Sequence, residues 1–407
     1  MQTFHNIKKQ FPIFENRPGL VYLDSAATAL KPELVLQSMD EYYRNYSANI
    51  SRGLYPLAEC ATTAFEAARE KIARFIHTES PAQVIFTANA TQAINLVSLG
   101  LEEILSPGMN IVVTSLEHHS NYLPWKELAK RTRSSVRIAP FHEEGFLEPQ
   151  ELVKHLDHQT KIVAFSAVSN VFGVQNPVGE IIKILRAKYP EVLILVDACQ
   201  AVGHIEVDIL KWDADYVVFS GHKLFGPTGI GVLAGKEASL KLLSPKNVGG
   251  GTVLDACRTE TRYKKLPENL EGGTPNIAGA IGLGTAIEFI ESLGIDALHQ
   301  HEVNLTKLLI EALTKAFGDK IRILGTTEGS KRVGIVSFVL KGIHPHDLAH
   351  LLGEQDISVR AGEHCASPLH LAIKLGSSTR VSLSLYNDEH DIEKLISAIK
   401  KALVLFH

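Results

Sequence analysis

Cysteine, methionine and tryptophan are scarce in this chain of 407 residues, which has four cysteines, three methionines and two tryptophans. No two of the cysteines form a Cys-x-x-Cys pair, which argues against a disulfide scaffold and against a zinc ribbon. So few thiols are typical of a reducing compartment, and we expect a cytoplasmic protein. One or two of the four should be reactive, and the rest should be small buried side chains. They are Cys60, Cys199, Cys257 and Cys365.

Positive charge is not in excess either, because the chain has 41 lysines and arginines but 45 acidic residues, which gives a net charge of −4. We therefore expect no nucleic-acid partner. No apolar run reaches the roughly 18 residues of a membrane helix, and the first ten residues lack the apolar segment of a signal peptide. We expect no membrane partner. The length predicts two domains rather than one.

Between about residues 80 and 235, short apolar runs alternate with helical patterns. Continuous apolar strands separated by helices predict a mostly parallel sheet that is covered on both faces, and hence an α/β fold. In such sheets ligands bind beyond the carboxyl ends of the strands. The predicted strands are 84–86, 111–113, 161–166, 192–197, 216–219 and 230–233.

The chain changes character at residues 246–275, where Gly249–Gly251 and Gly272–Gly273 bracket a charged stretch with few core residues. This pattern predicts a hairpin excursion. A helix follows at about 276–292, and a second unit then runs to the end of the chain. In that unit we expect strands at 333–340, 357–360 and 380–385 and helices at 346–352 and 388–405.

Five side chains with complementary chemistry follow two of the predicted strands. They are an acid, an amide, a hydroxyl, an imidazole and an amine: Asp197, Gln200, Ser220, His222 and Lys223. A buried carboxylate keeps a pyridinium nitrogen protonated, and a lysine amine forms a Schiff base with an aldehyde. The set therefore predicts a site for pyridoxal 5′-phosphate. The alternative is that Asp197 and Lys223 are ordinary surface residues.

Two further segments fit the same cofactor. Ala90-Thr91-Gln92 opens a helix whose free N–H groups attract an anion, so Thr91, Ser220 and His222 are expected to hold the phosphate. Thr91 is alternatively a simple N-cap. His118 is expected to stack on the pyridine ring, whereas His119 is expected to be a surface or hydrogen-bonded histidine.

No metal site is expected. Glu117-His118-His119 and His344-Pro345-His346 both lack the helical i, i+4 spacing of histidines that bind zinc in proteases.

A cysteine in a predicted loop supplies a second nucleophile. Cys365 follows a strand and a glycine, and Arg360 and His364 could lower its pKa, whereas Glu363 would raise it. The sequence leaves that balance open, and an unreactive turn cysteine is the alternative. Arg380 begins a strand in the same unit, where a guanidinium would suit a substrate carboxylate or would form a surface salt bridge.

These motifs resemble those of class V aminotransferase-like enzymes, and specifically of cysteine desulfurases of the SufS/CsdA group. The resemblance runs from Tyr22 to Asn387, and the stretch from Gly251 to Gly273 resembles the hairpin that separates this group from the IscS-like group. Its most specific parts are Asp197-x-x-Gln200, Ser220-Gly-His-Lys223, Gly273-Thr-Pro-Asn276 and Arg360-x-Gly-x-His-Cys-Ala366.

The resemblance implies the fold of a type I transferase that depends on pyridoxal phosphate. Residues 20–292 would form a large cofactor-binding domain with a mostly parallel seven-stranded sheet and a hairpin at about 250–273. Residues 1–19 and 293–407 would form a smaller α+β domain that carries the loop of Cys365.

The resemblance also implies roles for single residues. The catalytic residues would be Lys223, which forms the Schiff base and moves protons, Cys365, which takes the substrate sulfur as a persulfide, and His118, which stacks on the ring. Asp197 and Gln200 would bind the ring, and Thr91, Ser220 and His222 the phosphate. Thr274 would reach the phosphate of the other subunit of a homodimer. Asn170, Arg360 and Arg380 would line the substrate site.

The implied substrate is L-cysteine, and the implied partner is a protein that accepts sulfur. The pathway that the resemblance implies is iron–sulfur cluster assembly. Three positions depart from the family pattern, namely Ser51, Ala90 and Glu363, and they affect substrate positioning or the acceptor. A selenocysteine lyase, another class V lyase and a non-catalytic partner-binding homologue remain alternatives.

Overall fold

The computed structural model describes residue 4 and residues 6–405, and strands and helices alternate between about residues 84 and 220. The strands are β1 (Val21–Tyr22), β2 (Val84–Thr87), β3 (Asn110–Thr114), β4 (Ser135–Ala139), β5 (Thr160–Ser166), β6 (Leu193–Asp197), β7 (Tyr216–Ser220), β8 (Gly231–Gly235), β9 (Val253–Ala256), β10 (Thr261–Tyr263), β11 (Ile321–Ile323), β12 (Ile335–Leu340), β13 (Ile357–Ser358), β14 (Arg360–Gly362) and β15 (Ser378–Ser382). The α-helices are α1 (Pro12–Asn16), α2 (Glu33–Asn45), α3 (Pro56–Phe75), α4 (Ala90–Gly100), α5 (Leu123–Thr132), α6 (Pro149–Val153), α7 (Val178–Lys188), α8 (Ile209–Trp212), α9 (Glu237–Lys241), α10 (Ile277–Leu293), α11 (Ile295–Phe317), α12 (Pro345–Gly353), α13 (Ser367–Ala372) and α14 (Glu389–Val404).

A seven-stranded sheet in the order β2-β8-β7-β6-β5-β3-β4 forms the centre of the molecule. Every neighbouring pair is parallel except the two pairs made by β8, which runs against β2 and β7. Inner strands are buried along almost their whole length, whereas the edge strand β4 is largely accessible to solvent. The predicted α/β fold with a mostly parallel seven-stranded sheet is therefore confirmed.

Helices cover both faces of this sheet, and alternate residues of one strand belong to different hydrophobic clusters. In β3, Val112 packs in the cluster beneath α3, α7 and α10, whereas Ile111 and Val113 pack in the cluster beneath α4 and α5. Side chains of successive strand residues point to opposite faces, which explains the continuous apolar runs in the sequence.

A four-stranded antiparallel sheet in the order β11-β12-β15-β14 forms a second layer near the C-terminus. Its hydrophobic cluster packs against α11, α12 and α14, and Asp388 caps α14 through a capping box. The strand predicted at 380–385 ends earlier, at Ser382, because Ser384 and Asn387 form a turn in which the Asn387 side chain accepts from the Ser384 N–H at 2.9 Å. The predicted hairpin is present as the antiparallel pair β9 and β10.

The division into domains at residues 20–292 and 1–19 with 293–407 stays a prediction, and hydrophobic contacts at the N-terminus cross it. Phe11 packs edge to face on Phe225, Phe289 and Tyr386 in the cluster of the large sheet. Residues 21 and 23 instead belong to the cluster of the four-stranded sheet. Of residues 1–19, positions 1–3 and 5 lie outside the described residues.

Within the part of the chain that the structure describes, no single helix is both long and apolar enough to cross a membrane. The helices at 277–293 and 295–320, which meet at a bend of 76°, pass on length and composition only when they are taken together.

Candidate active site

A cavity of about 410 Å³ lies at the carboxyl ends of β5, β6 and β7, where the chain also brings in β14, β15 and the loop between them. Its volume is within the range of small-molecule sites. The cavity gathers every predicted site residue except Thr274. These are Thr91, His118, Asn170, Asp197, Gln200, Ser220, His222, Lys223, Arg360, Cys365 and Arg380.

Lys223 reaches the cavity through a tight turn after β7. Gly221 begins a short 3-10 turn, and a Cβ added there would lie 2.8 Å from a side-chain carbon of Ile230, so only glycine fits. The Lys223 Nζ donates a hydrogen bond to the carbonyl of Ala26. Burial, and then the positive charge of Arg380, lowers the pKa of Lys223 to about 8. A sizeable fraction of this amine is therefore neutral and nucleophilic near neutral pH.

Asp197 and Gln200 line the wall next to the lysine. Asp197 is buried at the end of β6, and its Oδ1 accepts from the N–H of Cys199 at 2.9 Å. Gln200 donates from Nε2 to the carbonyl of Ala26 at 2.8 Å. The other amide atom, Oε1, is buried and has no hydrogen-bond partner among the described residues. The wall thus presents a carboxylate oxygen and an unpaired amide end.

Helix α4 points its N-terminus at the opposite end of the cavity. Its N-cap is Asn89, whose side chain accepts from the N–H of Gln92 at 2.9 Å, so the alternative that Thr91 is the N-cap is wrong. The Thr91 hydroxyl instead lies 2.7 Å from the hydroxyl of Ser120. Ser220 Oγ accepts from the N–H of Ala90 at 2.9 Å, which leaves its own proton free to donate.

His222 and His118 are both neutral. Burial, followed by the charges of Lys223 and Lys31, lowers the pKa of His222 to about 4. Burial also lowers the pKa of His118, against the attraction of Asp197. His118 Nδ1 accepts from the N–H of Ser120 at 3.1 Å, and since a backbone N–H can only donate, the ring proton of His118 must lie on Nε2.

A fully buried carboxyl group lies behind His118, and sequence reasoning assigned it no role. Glu117 accepts from the hydroxyls of Thr114 and Ser166, both at 2.5 Å, from the N–H of Ser166 at 3.1 Å and from the amide of Asn121 at 2.6 Å. Burial raises the pKa of Glu117 to about 7, and these hydrogen bonds oppose the rise. The group ties the ends of β3 and β5 together beside His118. Its only signal in the sequence is its position after a strand.

Arg380 is 3% exposed and faces the cavity from β15. Its Nη1 donates to the carbonyl of Asn170 at 2.9 Å, and its Nη2 lies 3.5 Å from Asp24. Arg360 stands opposite Arg380 in the strand register and pairs with the same carboxylate at 2.8 Å. Asp24 thus separates two like charges, and it was missed because it lies more than 330 residues from both.

Cys365 is exposed in the loop after β14, as the sequence predicted. His364 and Cys365 both adopt the left-handed backbone conformation, with φ of 53° and 55°. Two hydrogen bonds hold this conformation, from the N–H of His119 to the carbonyl of Cys365 at 2.7 Å and from Asn170 Nδ2 to the carbonyl of His364 at 2.7 Å.

The predicted electrostatic setting of Cys365 is wrong in one respect. Burial, and then the charge of Arg380, lowers the pKa of His364 to about 2, so His364 is neutral and brings no positive charge to the thiol. Arg360 pairs with Asp24, and Glu363 accepts from the hydroxyl of Ser367 at 2.6 Å.

The expectation that most cysteines are buried is wrong as well, because Cys199 is the only one of the four that is not exposed. Burial raises the pKa of the Cys199 thiol well above its usual value, and the charge of Asp197 adds to the rise. Cys199 lines the cavity with Cys365 but is the less reactive thiol.

Comparison with known proteins now decides the family. Residues 21–395 match the sequence model of the family described as aminotransferase class-V. The chain belongs to this class-V family. A probable cysteine desulfurase of Halalkalibacterium halodurans is 42% identical over 406 residues, which are 99% of this chain and 98% of that protein.

Two solved structures of similar proteins extend this result. The apo cysteine desulfurase of Thermococcus onnurineus NA1 has a TM-score of 0.94 and 36% identity, and each chain is covered to 99%. The cysteine desulfurase CsdA of Escherichia coli has a TM-score of 0.92 and 32% identity over the full length of both chains. The class-V chain therefore has the type I transferase fold that its sequence motifs indicated.

The residues of this class-V site fit pyridoxal phosphate. The unpaired amide end of Gln200 and the carboxylate of Asp197 offer partners for the polar atoms of a pyridine ring. The N-terminus of α4 and the hydroxyls of Thr91 and Ser220 offer donors for a phosphate. Lys223 supplies the amine that an aldehyde requires.

Thr274 is the one predicted site residue that the structure leaves outside the cavity. It is exposed in a separate groove after the hairpin, near residues 49–52 and 264–271. The neighbouring Ser51, one of the departures from the family pattern, has a φ of 77°, and its N–H donates to the Thr62 hydroxyl at 3.0 Å. Ala90, another departure, lies inside the cavity at the start of α4.

One group of side chains in the described part of the chain is close enough to hold a metal ion, and the sequence did not indicate it. Ligand atoms of His77, Glu206 and Asp208 lie within 4.8 Å of one another. The ammonium of Lys211 already lies 3.3 Å from Glu206 and 3.2 Å from Asp208. None of the three residues lines the cavity.

Proposed function

We propose that this protein is a cysteine desulfurase that uses pyridoxal 5′-phosphate to convert L-cysteine into L-alanine, with the sulfur passing through Cys365. The observation that carries the proposal is that Cys365, Lys223, Asp197 and Arg380 line one cavity of about 410 Å³. Relatives that match almost the whole chain bear the same name. Neither the lysine nor the cysteine alone would specify this reaction.

When bound, the cofactor supplies an electron sink for the bonds at the Cα of an amino acid. The chain's own residues prepare that chemistry. Lys223 Nζ is the nucleophile and then the group that carries the Cα proton, for which its lowered pKa of about 8 is suited. Asp197 would hold the ring nitrogen protonated, Gln200 would bind the ring hydroxyl, and the neutral ring of His118 would cover the face. Thr91, Ser220 and His222 would hold the phosphate.

Arg380 is the group that best fits the substrate carboxylate. Its guanidinium has five N–H donors, and two of them face the Asn170 carbonyl and Asp24. The remaining terminal N–H groups suit a bidentate carboxylate. Asn170 and Arg360 line the same part of the cavity and fix the position of the substrate beside Cys365.

Sulfur transfer then needs a thiolate on an accessible loop. The Cys365 thiolate forms an S–S bond with the substrate sulfur while the substrate C–S bond breaks. The electron pair of that C–S bond goes to Cβ, where a proton from Lys223 Nζ completes the methyl group, and Cα takes back a second proton to give L-alanine. The thiol and the Cα of the substrate supply these two protons, and Cys365 is left as a persulfide. Exposure of Cys365 lets an acceptor protein's thiolate attack the outer sulfur and regenerate the cysteine. We propose iron–sulfur cluster assembly in the cytoplasm as the setting.

A homodimer is part of the proposal. Thr274 is exposed and does not line the cavity of its own chain, so a second copy is needed to bring it to a phosphate site. Three apolar side chains near the same groove are also exposed, with Leu54 at 96%, Leu57 at 50% and Tyr55 at 49%. Such exposure favours burial against another subunit. Molecular mass in solution tests it, and a monomeric holoenzyme would contradict it.

The test of the reaction is L-alanine formation from L-cysteine, measured with a small thiol as sulfur acceptor. Cys365→Ser should lower the rate about a hundredfold or more, because a hydroxyl cannot hold the sulfur. Cys257→Ser is the matched control, since Cys257 is also exposed but lies on the hairpin, and it should leave the rate unchanged. Lys223→Ala should abolish the visible absorbance band of the lysine-bound cofactor.

Three outcomes would redirect the proposal. If Cys365→Ser still formed L-alanine from L-cysteine at the wild-type rate, Cys365 would not be the nucleophile. If the wild type turned over selenocysteine far faster than cysteine, and Cys365→Ser kept that activity, the protein would be a selenocysteine lyase. Absence of the cofactor band from the wild-type protein would instead support a non-catalytic homologue.

A further inference from the structure

A chain of hydrogen bonds runs behind the Cys365 loop, through residues that the proposed mechanism does not use. His370 Nδ1 lies 3.2 Å from the carbonyl of Ala366, and His370 Nε2 lies 3.2 Å from the hydroxyl of Ser378. The same hydroxyl lies 3.0 Å from His364 Nε2. All three side chains are buried, and His364 is only 8% exposed. This series of hydrogen bonds therefore ends at His364, which lines the active-site cavity.

The direction of each hydrogen bond follows from counting protons. A carbonyl only accepts, so His370 carries its proton on Nδ1, and its Nε2 is an acceptor because burial lowers the pKa of His370 and keeps it neutral. The single proton of Ser378 then points to His370. Ser378 Oγ must accept from His364 Nε2, so neutral His364 keeps its lone pair on Nδ1.

This lone pair and a donor on a second residue of the same cavity are both unsatisfied. His364 Nδ1 and Arg380 Nε are each buried without a hydrogen-bond partner among the residues that the structure describes. Arg380 follows Ser378 by two residues in β15, so their side chains emerge on the same face of the sheet. The charge of Arg380 acts on His364 more strongly than that of any other group. An acceptor of fixed tautomer and a donor that lacks a partner thus belong to two residues that line the same cavity.

We propose that His364 is a positioning residue that orients Arg380 for the substrate carboxylate: when the substrate binds, Arg380 Nε donates to the His364 Nδ1 lone pair, which the Ser378–His370 hydrogen bonds keep free. The inference rests on the proposed function, because it assumes that Arg380 binds the carboxylate. Nη1 already donates to Asn170 and Nη2 lies near Asp24, so turning Nε to His364 would leave the outer edge of the guanidinium facing the cavity. Ser378 and His370 act only through His364.

The experiment compares His364→Phe, which keeps a flat ring but has no acceptor, with His364→Asn, whose side-chain oxygen replaces Nδ1. KM and kcat for L-cysteine are measured on the holoenzymes, together with the Kd of L-alanine from the cofactor absorbance. We expect His364→Phe to raise KM and Kd about tenfold, since the buried Nε of Arg380 then has no acceptor when the ligand binds. kcat should change less than about threefold, and His364→Asn should restore both constants. His350→Phe, at an exposed histidine, is the matched control.

Other outcomes overturn the proposal. It is wrong if His364→Phe and His364→Asn behave alike, or if kcat falls while KM and Kd stay at wild-type values. If His364→Phe does not fold, Ser378→Ala is the test, because without the Ser378 hydroxyl the proton of His364 is no longer held on Nε2. A rise in the Kd of L-alanine supports the proposal, and an unchanged Kd refutes it. If the wild type does not form L-alanine from L-cysteine, the proposed function is wrong. The Kd of L-alanine, compared between the wild type and the variants, still tests the role of His364.

Discussion

The ion pair between Arg69 and Glu271 allows a quantitative prediction about stability. Two parallel hydrogen bonds join the side chains, from Nη1 to Oε1 at 2.6 Å and from Nη2 to Oε2 at 2.9 Å. Arg69 is 3% exposed and Glu271 is 11% exposed, and Glu271 also accepts from the N–H of Phe86 at 2.6 Å. The pair thus fastens α3 and β2 to the segment that leads into Thr274.

Glu271→Gln keeps the volume of the side chain but leaves the buried guanidinium without its main counter-charge. Removing one partner of a buried pair costs about 3–5 kcal/mol. The lower end applies here, because Glu66, which is half exposed, still lies 2.9 Å from Arg69 Nε. An unfolding entropy of about 2.1 cal/mol/K per residue over 407 residues amounts to about 0.85 kcal/mol/K. A loss of about 3 kcal/mol therefore lowers Tm by about 3–4 °C.

Differential scanning calorimetry of the holoenzyme measures this shift. The control is Asp40→Asn, which breaks the pair between Arg44 and Asp40 on α2, where the side chains are 74% and 57% exposed. An exposed pair contributes about 0.5 kcal/mol at most, so Tm should fall by less than about 1 °C. Equal shifts for the two variants would refute the reasoning, since burial would then have no bearing on the strength of the pair.

Three further predictions concern the active site. Apoenzyme should take up pyridoxal phosphate about fivefold faster at pH 8 than at pH 7, because raising the pH toward the pKa of about 8 deprotonates more of Lys223. Stopped-flow absorbance measures the uptake rate, and a rate that does not change with pH would contradict this prediction. Asp24→Asn should lower stability by about 2 kcal/mol in calorimetry, since Arg360 and Arg380 then face each other uncompensated; an unchanged Tm would contradict it. Peptide mapping after alkylation at neutral pH should find Cys365 modified but Cys199 unmodified, because burial raises the pKa of the Cys199 thiol.

Local sequence was enough to predict the part of the site that follows single strands. Asp197, Gln200, Ser220 and Lys223 come within a few residues of the ends of β6 and β7, and the carboxyl ends of parallel strands meet at one edge of a sheet. The alternation of apolar strands and helices predicted that sheet. The position of Cys365 in an exposed loop also followed from its neighbours.

Charge states and long-range pairs could not be predicted in this way. His364 looked like a cation that would activate Cys365, yet burial beside Arg380 makes it neutral. The contact of Asp24 with Arg380 joins residues 356 positions apart, and no periodicity in the sequence relates them. Whether Thr91 caps α4 depended on Asn89, whose side chain takes that role.

The sequence by itself determined the chemistry that is available: an amine, a thiol, a carboxylate and a guanidinium, each at the end of a strand or in a loop. Residue type and local spacing suffice for this, because they are properties of short segments. Only the tertiary structure decided which of these groups are charged, which are already paired and which share a cavity. Those properties depend on burial and on distances between remote segments, and folding alone sets both.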